Sequence, residues 1–187
     1  MVWYMIFVWL LLVSMLSIFL HELAHHLLGR PSEVGLAHNY SLVPLTPENR
    51  TRSIVGTLAG PTANLVMGLV CYAGYHWLGG WGWYFPAAAN LGLTLFAAVV
   101  NVLVDTVNRK PANDLQEASH LLGLPMLVLP ALHVGLTAPP LYALWKVLAV
   151  TIGSGPSAVA FLFGSYLLAG LILMGVDSVI RVRFRII

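Results

Sequence analysis

The sequence predicts an all-α polytopic membrane protein of five to six transmembrane helices, folded as a single membrane-embedded domain over residues 1–187. Two observations carry this prediction. Hydrophobic residues make up 59% of the chain and charged ones only 9%, with a mean hydropathy of +0.85, whereas a soluble domain is about half apolar and a quarter charged. The apolar residues also run in stretches of about 20 or more, the length that a helix rising about 1.5 Å per residue needs to cross a bilayer.

Candidate spans run from Val2 to Leu28, Ile54 to Leu78, Phe85 to Val107, Ala118 to Leu136 and Pro156 to Ile180. The first lacks a basic n-region and a small-residue cleavage pattern, so it reads as a true span and not as a cleaved leader. Residues 139–159, "PPLYALWKVLAVTIGSGPSAV", are apolar but carry Lys146 and are broken by Gly-Ser-Gly-Pro. They read as an interfacial or re-entrant helix, because a sixth full crossing would place the basic tail on the outer side. The single cysteine, Cys71, lies mid-span, which excludes a disulfide framework and a CxxC zinc site.

A formal charge of +2 gives no reason to expect nucleic acid as a partner; the lipid bilayer is the expected one. What matters is where the basic residues stand. Arg30, Arg50 and Arg52 fall between the first two spans, Arg109 and Lys110 follow the third, and Arg181, Arg183 and Arg185 close the sequence. The segment between the second and third spans, "GGWGWYF", has no charge and several interfacial aromatics. Basic loops face the cytoplasm, which puts the ends of the first and third spans on that side.

At the end of the first span stands "HELAHH", residues 21–26. His21 and His25 are four apart, so on a helix they project from one face and can bind one metal ion through their imidazoles. Glu22, beside the first of them, can take a proton from water. This is the HExxH arrangement of zinc hydrolases, in which the metal lowers the pKa of water to about 7 and a carboxylate acts as general base. An ionisable group at depth in a bilayer costs roughly 2.5 kcal/mol or more unless it is paired or functional, so Glu22 after some twenty uncharged residues calls for a role. His26, a further 100° around the helix, reads as a packing residue.

Two imidazoles leave a catalytic zinc one protein ligand short. Asp177 reads as a counter-charge to the basic tail, Glu33 and Glu48 lie in a polar loop, and Glu117 reads as a first-turn acid of the fourth span. Asp105 and Asp114 remain as candidates. Asp114 is preferred because it follows the helix-breaking Pro111, which could bend the chain toward the metal.

A second motif, "AGPTANLVMG" at residues 59–68, accompanies HExxH. Its Pro61 reads as a first-turn proline, Gly60 as a point of close backbone approach, and Asn64 as a donor and acceptor one turn further in. Together the two motifs resemble the site-2 protease family of intramembrane zinc metalloproteases, in which the second core helix begins with Gly-Pro-x-x-Asn and a third carries Asn-x-x-Pro followed by Asp-Gly. The resemblance covers about residues 15–120. It implies a three-helix catalytic core within about residues 1–120, with the helices of about 121–187 added to it.

The resemblance further implies that His21, His25 and Asp114 hold zinc, that Glu22 is the base, and that Asn64, with Gly60 and Pro61, helps hold an extended substrate strand or the developing oxyanion; an interhelical hydrogen bond is the other reading of Asn64. Asn108 and Pro111 supply Asn-x-x-Pro, but Asp114 comes only three residues after the proline, and Leu115 stands where the family has glycine. In similar proteases the loop after the first core helix, here "PSEVGLAHNYSLVPLTPENRTRS", contains β-strands that pair with unwound substrate, which would make His38 a polar strand residue. The partner is then a transmembrane protein substrate, and the expected location is the plasma membrane of a prokaryote with the site toward the cytoplasm. Asn90 and Asn101 read as hydrogen-bonding residues between helices. A membrane metal-binding protein or metal transporter without protease activity is the alternative, and would be expected to carry further ionisable residues along the spans; only His76 and His133 offer themselves.

Overall fold

The computed structural model describes residues 3–29, 32–36, 39–41, 46–108 and 114–180. Among these residues the helices are α1 (Trp3–Leu28), α2 (Arg50–Leu78), α3 (Trp81–Asn108), α4 (Asp114–Leu121), α5 (Val128–Ile152) and α6 (Gly155–Ile180). Two short strands, β1 (Ser32–Val34) and β2 (Asn39–Ser41), lie between α1 and α2 and pair antiparallel, with Glu33 opposite Tyr40. Four segments, α1, Pro47–Leu78, α5 and Gly155–Val179, are long and apolar enough to cross a membrane. The chain is an integral membrane protein. Its outward side chains agree with that environment: Trp9, Leu16, Val70, Trp77 and Val150 are exposed on the bundle surface, where lipid tails replace water as their surroundings.

The inner face of α1 is a single stripe of Ile6, Leu10, Ser14, Ser17 and His25, all buried. Steps of three and four residues keep a helical stripe on one side, and His21 falls on the same line. The metal-ligating candidates therefore extend the face that α1 turns toward α2, α3 and α6.

α2 starts earlier than the sequence suggests. A 3-10 turn, Pro47–Asn49, precedes it, and the Asn49 side chain accepts a hydrogen bond from the Thr46 N–H at 2.9 Å. The helix then runs from Arg50, so Pro61 stands in its interior and not in its first turn. The polar Arg50–Ser53 turn accounts for the difference, because it extends the helix outside the apolar stretch. The buried face of α2 includes Ser53, Gly56, Gly60, Asn64, Gly68 and Cys71, a seam of small side chains that lets neighbouring helices approach closely.

α3 packs on α1, α2, α5 and α6. Tyr84 donates from its hydroxyl to Leu144 O at 2.9 Å, tying α3 to α5, and Tyr166 of α6 donates to Ala88 O. A Cβ on Gly92 would collide with the Tyr166 hydroxyl, so this glycine is what admits the tyrosine to α3. Asn90 does not bridge helices as expected: its amide donates to Pro86 O within α3 at 2.8 Å. Pro86 cannot continue the ladder as a donor, but its carbonyl accepts this extra bond. The side chain of Asn101 lies outside the described residues.

The expected fourth span, Ala118–Leu136, is not one element. α4 ends at Leu121, where Gly123 adopts φ 73°, Leu124 N–H bonds Ser119 O and Gly123 N–H bonds His120 O, each near 3 Å. These paired bonds form a Schellman motif, which terminates a helix at a left-handed glycine. The segment 139–159, expected as a separate interfacial or re-entrant helix, is likewise divided between two elements. Residues up to Ile152 complete α5, with Pro139 and Pro140 inside it, and Gly153 in the left-handed region turns the chain into α6. Bundle helices tolerate interior prolines because neighbours and local adjustments satisfy the freed carbonyls. Asp177, near the end of α6, is 3% exposed and accepts from the Leu36 N–H at 3.4 Å, anchoring the loop after α1 to α6.

Candidate metal centre

Three side chains from two distant parts of the sequence converge at one end of the bundle. The Nε2 atoms of His21 and His25 are 3.0 Å apart, and Asp114 Oδ2 lies 3.2 Å from the first and 3.1 Å from the second. Metal–ligand bonds of about 2.0–2.2 Å in a tetrahedron place its ligand atoms roughly 3.3 Å from one another. The observed triangle is within a few tenths of an ångström of that, and three ligand atoms leave a fourth position open. The group could hold a metal ion.

Each donor is fixed by the fold. His25 is 7% exposed, and its Nδ1 lies 2.6 Å from Gly56 O on α2. A carbonyl oxygen only accepts, so Nδ1 carries the proton and Nε2 keeps its lone pair for a metal. The backbones meet at this level: a Cβ on Gly29 would lie 3.2 Å from Gly56 Cα, and one on Gly56 would overlap Gly29 Cα. Arg52 closes the same junction by donating to Gly29 O at 2.6 Å, a cation on the carbonyl end of α1.

Asp114 opens α4, and buried Leu115, Ala118 and Leu121 seat that helix. Arg50 donates to Leu121 O at 2.6 Å, and Ser119 Oγ accepts from the Leu129 N–H at 3.4 Å, so both neighbours of α4 hold its far end. Partial burial acts to raise the Asp114 pKa, but the His21 and His25 rings outweigh it and hold the carboxyl below the usual carboxylate range. It is an anion, as a ligand must be.

Gly60 lies directly behind the cluster. A Cβ there would come within 2.6 Å of His21 Nε2 and closer still to His25 Nε2, in the space where ligand and metal must meet. Asn64 places its amide nitrogen 3.2 Å from His21 Nδ1. A half-turn of the amide exchanges nitrogen for oxygen, and with oxygen forward it accepts from Nδ1–H, the tautomer that leaves His21 Nε2 free. Pro61, with Asn64, His21 and Asp114, lines a cavity of about 190 Å³ beside the cluster. Glu22 is partly buried and close enough for its charge to act on His25. His26 is 9% exposed, inside the fold.

Asp105 lies on α3, its side chain outside the described residues; His38 and Pro111 fall outside them altogether, and Asn108 is the last residue of α3. Three positioning residues, Arg50, Arg52 and Gly56, are not legible as such in the sequence, where the arginines register only as loop charge. A trace existed in Gly29 and Gly56, one just past the end of α1 and the other in the second turn of α2. No family model, curated protein or solved structure matches the chain.

Proposed function

We propose that the chain is an intramembrane zinc-dependent endopeptidase, similar to the site-2 proteases, that hydrolyses a peptide bond in or near a transmembrane segment of a protein substrate. The observation that carries this reading is the convergence of His21 Nε2, His25 Nε2 and Asp114 Oδ2 at 3.0–3.2 Å, with Glu22 one residue from a ligand. The His₂-carboxylate set suits several divalent ions; the adjacent glutamate favours zinc and hydrolysis.

When bound, zinc supplies a Lewis acid that polarises the scissile carbonyl and lowers the pKa of water. His21, His25 and Asp114 hold it, with Gly56 O and Asn64 setting the two rings. Glu22 takes the proton from the attacking water and delivers it to the leaving amine. A helical substrate hides its carbonyls in the hydrogen-bond ladder, so it must be drawn out as an extended strand, for which the β1–β2 pair offers an edge. Arg50 and Arg52 stand at the same end of the bundle as the metal ligands, and by the positive-inside rule this supports a centre that faces the cytoplasm.

Glu22→Gln tests the reading. It keeps the side chain's shape and the three ligands, so zinc should remain bound while cleavage of a reporter membrane segment stops. Persistent cleavage would exclude Glu22 as the base, and zinc flux across proteoliposomes without any cleavage would favour the transporter.

A further inference from the structure

The cavity beside the metal centre is lined by two chemically different sets of side chains, and this bears on which substrates the peptidase proposed above accepts. His21, Asp114 and Asn64 line the cavity together with Pro61, Leu115 and, from one face of α3, Leu93, Thr94 and Ala97. Thr94 is the polar one of these three α3 residues, and it is 3% exposed. Its hydroxyl donates to Asn90 O at 2.9 Å, so α3 offers the cavity no free donor. A carboxylate or other acceptor pressed against these α3 residues would lose water and find no donor there, the Thr94 oxygen being able only to accept.

The volume sets the second limit. A cavity of about 190 Å³ is smaller than the roughly 300 Å³ or more of a site for a drug-sized ligand, and at about 30 Å³ per water it corresponds to some six waters. That is room for one amino-acid side chain next to a group held at the metal. We propose that this cavity receives the substrate side chain flanking the scissile bond, that it selects aliphatic residues up to the size of leucine, and that Leu93 and Ala97 set the size limit. Ala97 is the sensitive position, because each carbon added to it displaces one from the substrate.

The test uses binding, so that it does not depend on turnover. Hydroxamic acids chelate metals and place their substituent beside the ion; methyl, isobutyl and biphenylmethyl hydroxamic acids would be titrated calorimetrically into the zinc-loaded protein in detergent. At about fourfold per buried methylene, the isobutyl compound should bind at least about tenfold tighter than the methyl one, and the biphenylmethyl compound should show no such gain. Ala97→Leu should erase the isobutyl advantage while leaving the methyl compound and zinc content unchanged. Leu93→Ala should instead give the biphenylmethyl compound a gain of about tenfold, and it decides the matter should Ala97→Leu fail to retain zinc.

Equal affinities for the three compounds, no binding at all to protein that holds zinc, or an isobutyl preference untouched by both substitutions overturns the proposal. Size selection without cleavage of any membrane segment leaves the pocket standing and removes the peptidase. Glu22-dependent cleavage without size selection does the reverse.

Discussion

His25 donates from Nδ1 to Gly56 O at 2.6 Å, and this bond joins the packing of two helices to the chemistry of one nitrogen. The carbonyl can reach the ring only because Gly29 and Gly56 let α1 and α2 touch backbone to backbone. Gly56→Ala should therefore act twice, lowering the unfolding temperature in detergent and weakening zinc binding by about ten- to a hundredfold, the usual cost of losing such a partner. Thermal unfolding of the metal-free variant, beside a zinc competition with a chromogenic chelator, measures the two effects separately.

Gly60→Ala isolates the ligand geometry from stability. Alanine is favoured over glycine in a helix interior by about 0.8–1 kcal/mol, so the helix itself gains. The added methyl nonetheless enters the space between His21 and His25, and zinc should be lost from a protein that still folds. Helicity by circular dichroism together with metal content reads this out; full zinc occupancy would show that the metal does not bind between these rings.

The two aspartates are separated by comparing Asp114→Ala with Asp105→Asn. Asp114 Oδ2 stands within 3.2 Å of both imidazoles, so its removal should take away one ligand, zinc retention and cleavage. Asp105→Asn should retain zinc. Metal analysis of both purified variants decides, and the opposite pattern would move the ligand onto α3.

Arg50→Ala should loosen α4 without touching the metal. The guanidinium donates to Leu121 O at 2.6 Å, and a partly exposed charged hydrogen bond of this kind contributes about 1 kcal/mol. Zinc affinity should fall by roughly fivefold if α4 seats Asp114, with Arg50→Lys recovering part of it. An unchanged affinity would mean that Leu115 and Ala118 hold α4 unaided.

The membrane class and the helical face of His21 and His25 were legible in the sequence because both rest on short-range regularities, composition and a four-residue step. Elimination among the few acids reached Asp105 and Asp114 together and did not separate them. Element boundaries were not legible, since hydropathy averages over a window and passes through stops. Ala118–Leu136 contains no Asp, Glu, Lys or Arg, yet Gly123 followed by Pro125 is a helix-end signal that outranks it. Lys146 misled in the other direction, setting apart a segment that continues one helix through Pro139 and Pro140 to Ile152. The bonds of Arg50 and Arg52 to carbonyls on other helices depend on contacts between distant segments, which no local pattern contains.

Ninety-three positions separate His21 from Asp114, so an ion gripping both would act on the chain as a removable cross-link. In the chain-entropy treatment, closing a loop of that order restricts the unfolded ensemble by about 4–5 kcal/mol, and binding to the folded form alone adds stability that grows with the logarithm of free metal. Metal supply would then govern how long the protein survives in the membrane as well as whether it can work. A cell that starves it of the ion would retain a looser molecule, more readily degraded, and would lose the activity and the protein together.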